Sequence, residues 1–435
     1  MIAKPLEKKR LPRYTSFPAV PHWTKRPTNE EWFEQLSLGL KENNKANIYI
    51  HIPFCKSICY YCACNKTIIE DHSVEIEYIE SIISEWSHYA KHFNPIITNI
   101  HLGGGTPTFL SPQSLDYLLS SLKKIMNISN DFFGSIEIDP RTTTLDHLEI
   151  VKKHGFNRIS MGIQDFSPKV QKAINRIQSF ELIENLTEKL RDLCFESINF
   201  DLIYGLPFQT QESIIETFSK VITLSPDSIS FFSYAHVPWM HKTQNVLNKY
   251  ILPTGNYKNA LFNVGKQLLQ ENGYHQLAFD HFSKKTDSLF RCKEKKQLRR
   301  NFMGFTSSEA DVILGLGSSS ISQSGHGFIQ NERNYQKYML EIKNNGRAVI
   351  GGHTQSLLDI TTNKVIQSLM CYQQSFIGEL IMVMDKKLAM KTMLNLNLLI
   401  DEKMVTLKDN ILRITEKGFP YIRRICNAFD YYYNK

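Results

Sequence analysis

Four cysteines lie within ten residues near the start of the chain, in the stretch IYIHIPFCKSICYYCACNK. They are Cys55, Cys59, Cys62 and Cys64, and they make up half of the eight cysteines in 435 residues. Thiolates are soft ligands, which select zinc or iron–sulfur clusters over hard cations. A group of this kind directly after a strand-like run therefore predicts a metal centre.

The spacing of these cysteines bears on the kind of metal centre. A structural zinc site needs four ligands, usually two Cys or His pairs separated by a longer loop, and no second pair follows at a suitable distance. Cys64 follows Cys62 by only two positions, so the two side chains reach one ion poorly. An iron–sulfur cube usually has four cysteine ligands, and three thiolates on a tight loop suit three of its corners. The pattern favours a cube with one iron open to a small molecule, with a zinc knuckle as the alternative.

Strand-like and helical segments alternate from residue 47 to about residue 234, and these elements must position the cysteines. The alternation predicts a parallel sheet with right-handed crossovers, either open or curled into a partial or complete barrel. The six predicted strands are residues 48–52, 96–102, 135–138, 158–163, 198–203 and 228–234. Among the predicted helices are residues 75–89, 112–125 and 212–222.

Polar or glycine-containing sequences follow the predicted strands, always at the same end. After the cysteine loop come GGGTPT, EIDPR, MGIQDF, DLIYGLP and SYAHVP. The carboxyl ends of parallel strands meet at one edge of a sheet, where active sites of such folds collect. We therefore expect one site there. Beyond residue 250 the chain is predicted to be mostly helical, and it ends with two short strands around Asp409 and Asn410 and a helix, which resembles a winged-helix module.

Composition and charge narrow the class of protein. The chain is 42% apolar and 22% charged, as in globular proteins. Its apolar runs are shorter than the roughly 18 residues that span a bilayer, and its first residues lack the apolar segment of a secretory signal. The other cysteines are isolated, which favours the reducing cytoplasm. The net charge of +8 suits an acidic small molecule or a nucleic acid and does not choose between them.

The Cys-x3-Cys-x2-Cys motif after the first strand resembles that of the radical S-adenosylmethionine (SAM) enzymes. A longer series of segments, in order from residue 13 almost to the carboxyl terminus, resembles the oxygen-independent coproporphyrinogen III oxidases (coproporphyrinogen dehydrogenases) of bacterial haem synthesis. The segments include RYTSFP, HLGGGTPT, GFNRISMGIQDF, NFDLIYGLP, RNFMGFT and LGLGSSSIS. Of these, RYTSFP, RNFMGFT and the additional Cys64 are the most specific.

The resemblance implies an α/β fold, a partial (β/α)6 TIM-like barrel of the radical SAM type with a mainly helical C-terminal domain. We expect four parts. They are an arm over the active site (1–46), the barrel core (47–250), a barrel extension that covers the substrate (251–358), and a helical, winged-helix-like domain (359–435).

The resemblance also implies the cofactors and the residues that bind them. Cys55, Cys59 and Cys62 would hold a [4Fe–4S] cluster whose fourth iron is open to SAM, while Cys64 would lie close by without being a ligand. The positions that match contacts to this first SAM are Tyr49, Gly104, Glu137 and Ile321. Those that match contacts to a second SAM are Tyr61, Gly105, Thr106, Gln164, Arg176, Asp201 and Ala235.

The reaction implied by the resemblance is an oxidative decarboxylation. A 5′-deoxyadenosyl radical abstracts hydrogen from a propionate of coproporphyrinogen III, and loss of CO2 and one electron leaves a vinyl group. Two propionates react, which gives protoporphyrinogen IX. Arg13 could pair with a propionate. We expect a cytoplasmic monomer that takes electrons from a donor such as a flavodoxin or ferredoxin, without nucleic acid or stable membrane insertion.

Three other functions remain alternatives at this stage. A haem-binding chaperone of the same lineage would share the cluster, but RYTSFP, Arg176 and Cys64 belong to the dehydrogenase pattern. A radical SAM enzyme could also act on another tetrapyrrole. An RNA-modifying radical enzyme would need a dedicated RNA-binding domain, for which the winged-helix-like tail is a weak candidate.

Overall fold

The structure is a computed structural model that describes residues 11–23 and 25–433. Residues 1–10 and residue 24, which belong to the predicted arm, lie outside the described residues. The helices are α1 (Asn29–Leu40), α2 (Val74–Ala90), α3 (Pro112–Ile125), α4 (Leu145–Lys153), α5 (Pro168–Ala173), α6 (Phe180–Asp192), α7 (Gln211–Leu224), α8 (Gly255–Glu271), α9 (Ser288–Glu294), α10 (Tyr335–Asn345), α11 (Leu357–Tyr372), α12 (Gly378–Val383), α13 (Lys386–Asp401) and α14 (Ile422–Asn427).

Within residues 11–23 and 25–433, the strands form one large sheet and three small ones. They are β1 (Lys45–Ile52), β2 (Phe54–Cys55), β3 (Thr67–Ile68), β4 (Ile96–Gly104), β5 (Asn127–Ile138), β6 (Phe156–Gln164), β7 (Ser197–Tyr204), β8 (Ser228–Ser233), β9 (His275–Ala278), β10 (His281–Ser283), β11 (Arg299–Asn301), β12 (Gly304–Thr306), β13 (Val312–Leu316), β14 (Ile321–Gln323), β15 (Gly327–Asn331), β16 (Val349–Thr354), β17 (Gln374–Phe376), β18 (Val405–Lys408) and β19 (Ile411–Ile414).

The six predicted strands form the parallel centre of the large sheet, which confirms the predicted fold class. They lie in the order β1-β4-β5-β6-β7-β8, and β13 adds a seventh parallel strand beside β1. Antiparallel strands then extend both edges, with β14, β15 and β16 at one edge and β10 and β9 at the other. Every strand of the predicted barrel therefore brings its carboxyl end to the same side of the sheet.

The prediction of a mostly helical chain beyond residue 250 is wrong between His275 and Thr354, where β9 to β16 occur. These strands have only three to six residues. Strands this short contain too few alternating apolar and polar residues to be predicted from the sequence pattern. Most of them add to the edges of a sheet that already exists, so pairing with that sheet stabilises them more than their own composition does.

Helices α2, α3, α4, α6 and α7 pack against the parallel strands through apolar side chains that belong to the main core. On α2, for example, Ile79, Ile82 and Trp86 are buried in the main core. Ser111 and Thr210 accept backbone N–H bonds at the starts of α3 and α7, which satisfies donors that lack partners within the helix. Among the described residues, no helix combines the length and the apolar character needed to cross a membrane.

A second core lies in the C-terminal module, formed by helices α11 to α14 and the strands β17, β18 and β19. Asp409 and Asn410 both have positive φ and join β18 to β19 in a tight hairpin, as predicted. The RYTSFP segment is held in this core. Tyr14 Oη donates to Asp430 Oδ2 at 3.1 Å, and Gln355 Nε2 donates to the Phe17 carbonyl at 2.8 Å.

Candidate active site

Two adjoining cavities open at the carboxyl ends of the parallel strands. The first, which we call the cluster cavity, has a volume of about 450 Å³ and is lined by all four cysteines of the predicted metal centre. The second has a volume of about 680 Å³. Cys64, Gly104 and Glu137 line both, so the two cavities share a wall.

The structure brings together every site residue predicted from the sequence. Arg13 lines the cluster cavity, and so do all seven positions assigned to a second SAM, namely Tyr61, Gly105, Thr106, Gln164, Arg176, Asp201 and Ala235. The four positions assigned to the first SAM, Tyr49, Gly104, Glu137 and Ile321, line the second cavity. Their roles in binding SAM stay predictions. They lie close together because the parallel strands that precede them end at the same edge of the sheet.

The cysteine loop follows β1 and is fixed to neighbouring elements. The pair β2 and β3 closes the loop, and the Cys55 thiol lies 3.3 Å from Thr106 Oγ1. Burial raises the pKa of Cys55 to about 11. A hydrogen bond with Cys64 and the charge of Lys66 lower the pKa of Cys62 below its ordinary value. None of the three predicted ligands is in a disulfide, so all three sulfurs are free to bind a metal.

Two guanidinium groups face the Cys59 sulfur. Arg141 Nη2 lies 3.5 Å and Arg176 Nη1 3.7 Å from Cys59 Sγ. A set of soft thiolates next to fixed positive charge fits an anionic iron–sulfur cluster. Within the described residues, no three or more His, Cys, Asp or Glu side chains are arranged to hold a single metal ion.

Asp139 holds these two arginines in place. It was not identified as a site residue from the sequence, although it lies in the EIDPR segment. Its Oδ2 accepts from Arg141 Nη2 at 2.7 Å and from Arg176 Nη1 at 3.0 Å. Burial raises the pKa of Asp139, but the charges of Arg176 and Arg141 outweigh burial and lower it to about 2. The sequence did contain a signal for this residue, namely a carboxylate that directly follows a strand and stands two positions before an arginine.

Arg176 is buried and has little freedom to reorient. Its Nε and Nη2 both donate to the Gly162 carbonyl, at 3.2 Å and 2.7 Å. Together with the Asp139 bond, these contacts set the direction of the guanidinium plane toward the cluster cavity. A planar fork held in this way is suited to a carboxylate, because little side-chain entropy remains to be lost on binding.

Glu137 lies in the wall between the two cavities. Its Oε2 accepts from the Gly104 N–H at 3.3 Å, and its Oε1 lies 3.5 Å from His101 Nε2. Burial raises its pKa, but the His101 and Gly104 contacts outweigh burial and leave the pKa below its ordinary value. Position 104 needs glycine, because φ is +115° and a Cβ there would come within 2.7 Å of the His51 ring.

Asp201 lies deeper in the barrel, within β7. Ser160 Oγ and Asn199 Nδ2 each donate to its carboxylate at 2.9 Å. Burial and the nearby charge of Glu137 raise the pKa of Asp201 to about 6. The carboxylate is therefore held by fixed donors while it faces the cluster cavity, where it can accept hydrogen bonds from hydroxyl or ammonium groups of a ligand.

Comparison with known proteins places this site in a family. Residues 49–221 match the Radical SAM superfamily. The chain is 35% identical to the oxygen-independent coproporphyrinogen III oxidase of Bradyrhizobium diazoefficiens over 97% of its own length and 94% of the relative. It is also 35% identical to the enzyme of the same name from Pseudomonas aeruginosa, over 97% of this chain and 93% of the relative. The chain belongs to the oxygen-independent coproporphyrinogen III oxidase family.

The fold of this family is shared as well as its sequence. The solved structure of coproporphyrinogen III oxidase from Escherichia coli, described as a radical SAM enzyme, superposes with a TM-score of 0.91 at 32% identity and with 97% of each chain covered. The match extends through the C-terminal module and is not confined to the barrel. The family resemblance and the radical SAM fold predicted from the sequence are therefore confirmed.

Proposed function

We propose that the protein is an oxidoreductase that converts two propionate side chains of coproporphyrinogen III to vinyl groups, giving protoporphyrinogen IX in anaerobic haem biosynthesis. Each reacting propionate loses a hydrogen atom, CO2 and one electron. The observation that carries this proposal is the near full-length relationship to proteins of that named activity. The cysteine-lined cavity at the mouth of the barrel supports it.

Radical SAM enzymes use a [4Fe–4S] cluster and SAM, and membership of this superfamily gives the protein the same cofactors. When bound, the cluster and SAM supply radical chemistry that removes a hydrogen atom from an unreactive carbon. Cys55, Cys59 and Cys62 would hold the cluster. The Arg141 and Arg176 groups near Cys59 would offset part of its negative charge.

The side chains of the two cavities suit two SAM molecules. Tyr49, Glu137 and the open backbone at Gly104 would orient the first, with the Glu137 carboxylate accepting hydrogen bonds from ammonium or ribose groups. Arg176 and Asp201 would orient the second, through a guanidinium fork for its carboxylate and an acceptor for its hydroxyl or amino groups.

The electron donor, the cellular compartment and the oligomeric state also belong to the proposal. The reaction requires electrons, which we assign to a small donor such as a flavodoxin or ferredoxin. We place the protein in the cytoplasm as a monomer. The scattered single cysteines support a reducing compartment.

The test is one anaerobic assay on the reconstituted full-length protein with SAM, a reductant and coproporphyrinogen III. We expect protoporphyrinogen IX, methionine and 5′-deoxyadenosine, and none of these products when SAM or the reductant is omitted. Tight haem binding without decarboxylation would refute the proposal in favour of a haem chaperone. Decarboxylation of a different tetrapyrrole, with coproporphyrinogen III left intact, would refute the assigned substrate.

Replacing Arg176 tests the assigned second SAM position. Arg176→Ala is expected to keep the cluster but to raise the KM for SAM by roughly 10- to 100-fold, because a charge-assisted hydrogen bond is lost. The KM of Arg176→Lys should lie between that of Arg176→Ala and that of the wild type, since lysine keeps the positive charge but lacks the planar pair of donors. Arg291→Ala, on the exposed part of α9, is the matched control. Wild-type KM in Arg176→Ala would contradict the assignment.

A further inference from the structure

Three arginines from distant parts of the chain lie near one another, and one of them, Arg13, lines the cluster cavity. They are Arg13 of RYTSFP, Arg300 of β11 and Arg423 of α14. Arg300 connects two of these parts, because its Nη1 donates to the Tyr14 carbonyl at 2.6 Å and its Nη2 to the Arg13 carbonyl at 3.1 Å. We call these three residues the arginine cluster.

The arginines are close enough to act on one another electrostatically. Burial lowers the pKa of both Arg300 and Arg423, and the positive charge of Arg13 lowers each further. Aromatic faces support two of the guanidiniums. Arg423 lies 5.2 Å from the centre of the Phe279 ring, and Arg300 lies 5.6 Å from that of Phe305. The fold thus holds like charges together in a partly buried place.

The arginine cluster lacks carboxylate partners. Across residues 11–23 and 25–433, none of its members lies within 4.0 Å of an Asp or Glu oxygen. The nearby acid is Asp280, whose pKa is kept below its ordinary value, against the effect of burial, by His281, Arg300 and Arg13. Asp280 already pairs with His281, with 2.7 Å between Oδ1 and Nδ1. The nearby carboxylate is therefore engaged by His281 and forms no ion pair with any of the three guanidiniums.

A lysine adds to this excess of positive charge. Lys258 Nζ donates to the Tyr234 carbonyl at 2.5 Å, and burial together with the charge of Arg423 lowers the pKa of Lys258 to about 8. Burying like charges without counterions costs free energy. Such an arrangement persists more readily when an anionic ligand supplies the missing negative charge.

The location of the arginine cluster relates it to the substrate. Arg13 lines the cluster cavity, and so do Tyr234 and Ala235 beside Lys258. Phe232 lines the same cavity and packs against His281, the partner of Asp280. The excess positive charge thus borders the cavity that holds the predicted cluster ligands.

We propose that the arginine cluster binds carboxylates of a polycarboxylate tetrapyrrole and so anchors the propionates that are not reacting. The inference rests on the proposed function, and it goes further by assigning Arg300 and Arg423 to substrate binding alongside Arg13. Guanidinium groups bind carboxylates through charge-assisted hydrogen bonds. Both terminal nitrogens of Arg300 already donate to backbone carbonyls, so Arg300 contributes positive charge and holds Arg13 in place. A ligand with four carboxylates is then preferred over one with two.

The test measures binding of coproporphyrin III, the stable oxidised porphyrin with the same four propionates, to the reconstituted full-length protein. Kd is obtained by fluorescence at low and at high salt. Arg423→Met, which keeps most of the apolar stem, is expected to raise Kd at least tenfold and to reduce its salt dependence. Arg423→Lys should restore part of the affinity. Arg413→Met, on the exposed side of β19, is the matched control and should bind as the wild type does.

A Kd in Arg423→Met within twofold of the wild type would overturn the proposal, and so would equal affinity of the wild type for coproporphyrin III and protoporphyrin IX. Arg423→Lys keeps the test valid if the Met variant does not fold. Product formation by the wild-type protein is read in the separate turnover assay. A wild type that binds coproporphyrin III through Arg423 without converting coproporphyrinogen III would refute the proposed function while leaving the arginine cluster supported.

Discussion

Cys62→Ser is expected to abolish the brown colour of the anaerobically reconstituted protein and all detectable SAM cleavage. The physical reason is that three thiolates must hold three corners of the cube, and serine is a poor substitute for a soft ligand. The measurement is iron and sulfide content together with 5′-deoxyadenosine formation. Cys59→Ser and Cys55→Ser should give the same result.

Two other cysteines provide matched controls for this prediction. Cys64→Ser should retain the cluster although Cys64 is only two positions from Cys62 and lines the same cavity. Cys194→Ser, at an exposed thiol, should be indistinguishable from wild type. Loss of iron in Cys64→Ser with retention in Cys62→Ser would show that the assignment of ligands is wrong.

Asp139→Asn is expected to destabilise the protein by about 3 to 5 kcal/mol, because it leaves the guanidiniums of Arg141 and Arg176 buried without their shared carboxylate. The measurement is the free energy of unfolding by denaturant. Glu149→Gln, an exposed acid on α4, is the matched control and should change the free energy by less than about 0.5 kcal/mol. An effect of Asp139→Asn no larger than that of the control would contradict the role of Asp139.

The same carboxylate predicts a pH dependence with a definite sign. The pKa of Asp139 is about 2 in the folded protein, below its ordinary value of 3.8. A lowered pKa stabilises the folded state above pH 3.8, and this stabilisation is lost as the pH falls toward 2. The wild type should therefore lose about 2 kcal/mol between these values that Asp139→Asn does not lose. Parallel acid unfolding of the two proteins would contradict this account.

The centre of the fold could be predicted from the sequence because its strands are long, apolar and separated by amphipathic helices. The short strands from β9 to β16 could not, since each is stabilised by an existing sheet edge or by its hairpin partner and not by its own pattern. The division of the chain into four parts remains a prediction.

The residues of the candidate site also differ in whether the sequence alone could predict them. The cysteine spacing alone predicted a metal centre, whereas residues such as Ile321 and Ala235 were found only through family resemblance, because their types carry no chemical signal. Asp139 and Arg141 were missed since two charged residues near a strand end resemble an ordinary turn. Arg300 and Arg423 are 123 positions apart in the sequence, and only the packing of the C-terminal module brings them together.

The most direct measurement of the proposed chemistry follows the hydrogen atom. Coproporphyrinogen III carrying deuterium in its propionate side chains is converted anaerobically by the reconstituted wild-type protein, and the 5′-deoxyadenosine formed is analysed by mass spectrometry. Deuterium should appear in 5′-deoxyadenosine in step with vinyl formation. Vinyl products formed while 5′-deoxyadenosine stays unlabelled would contradict the account.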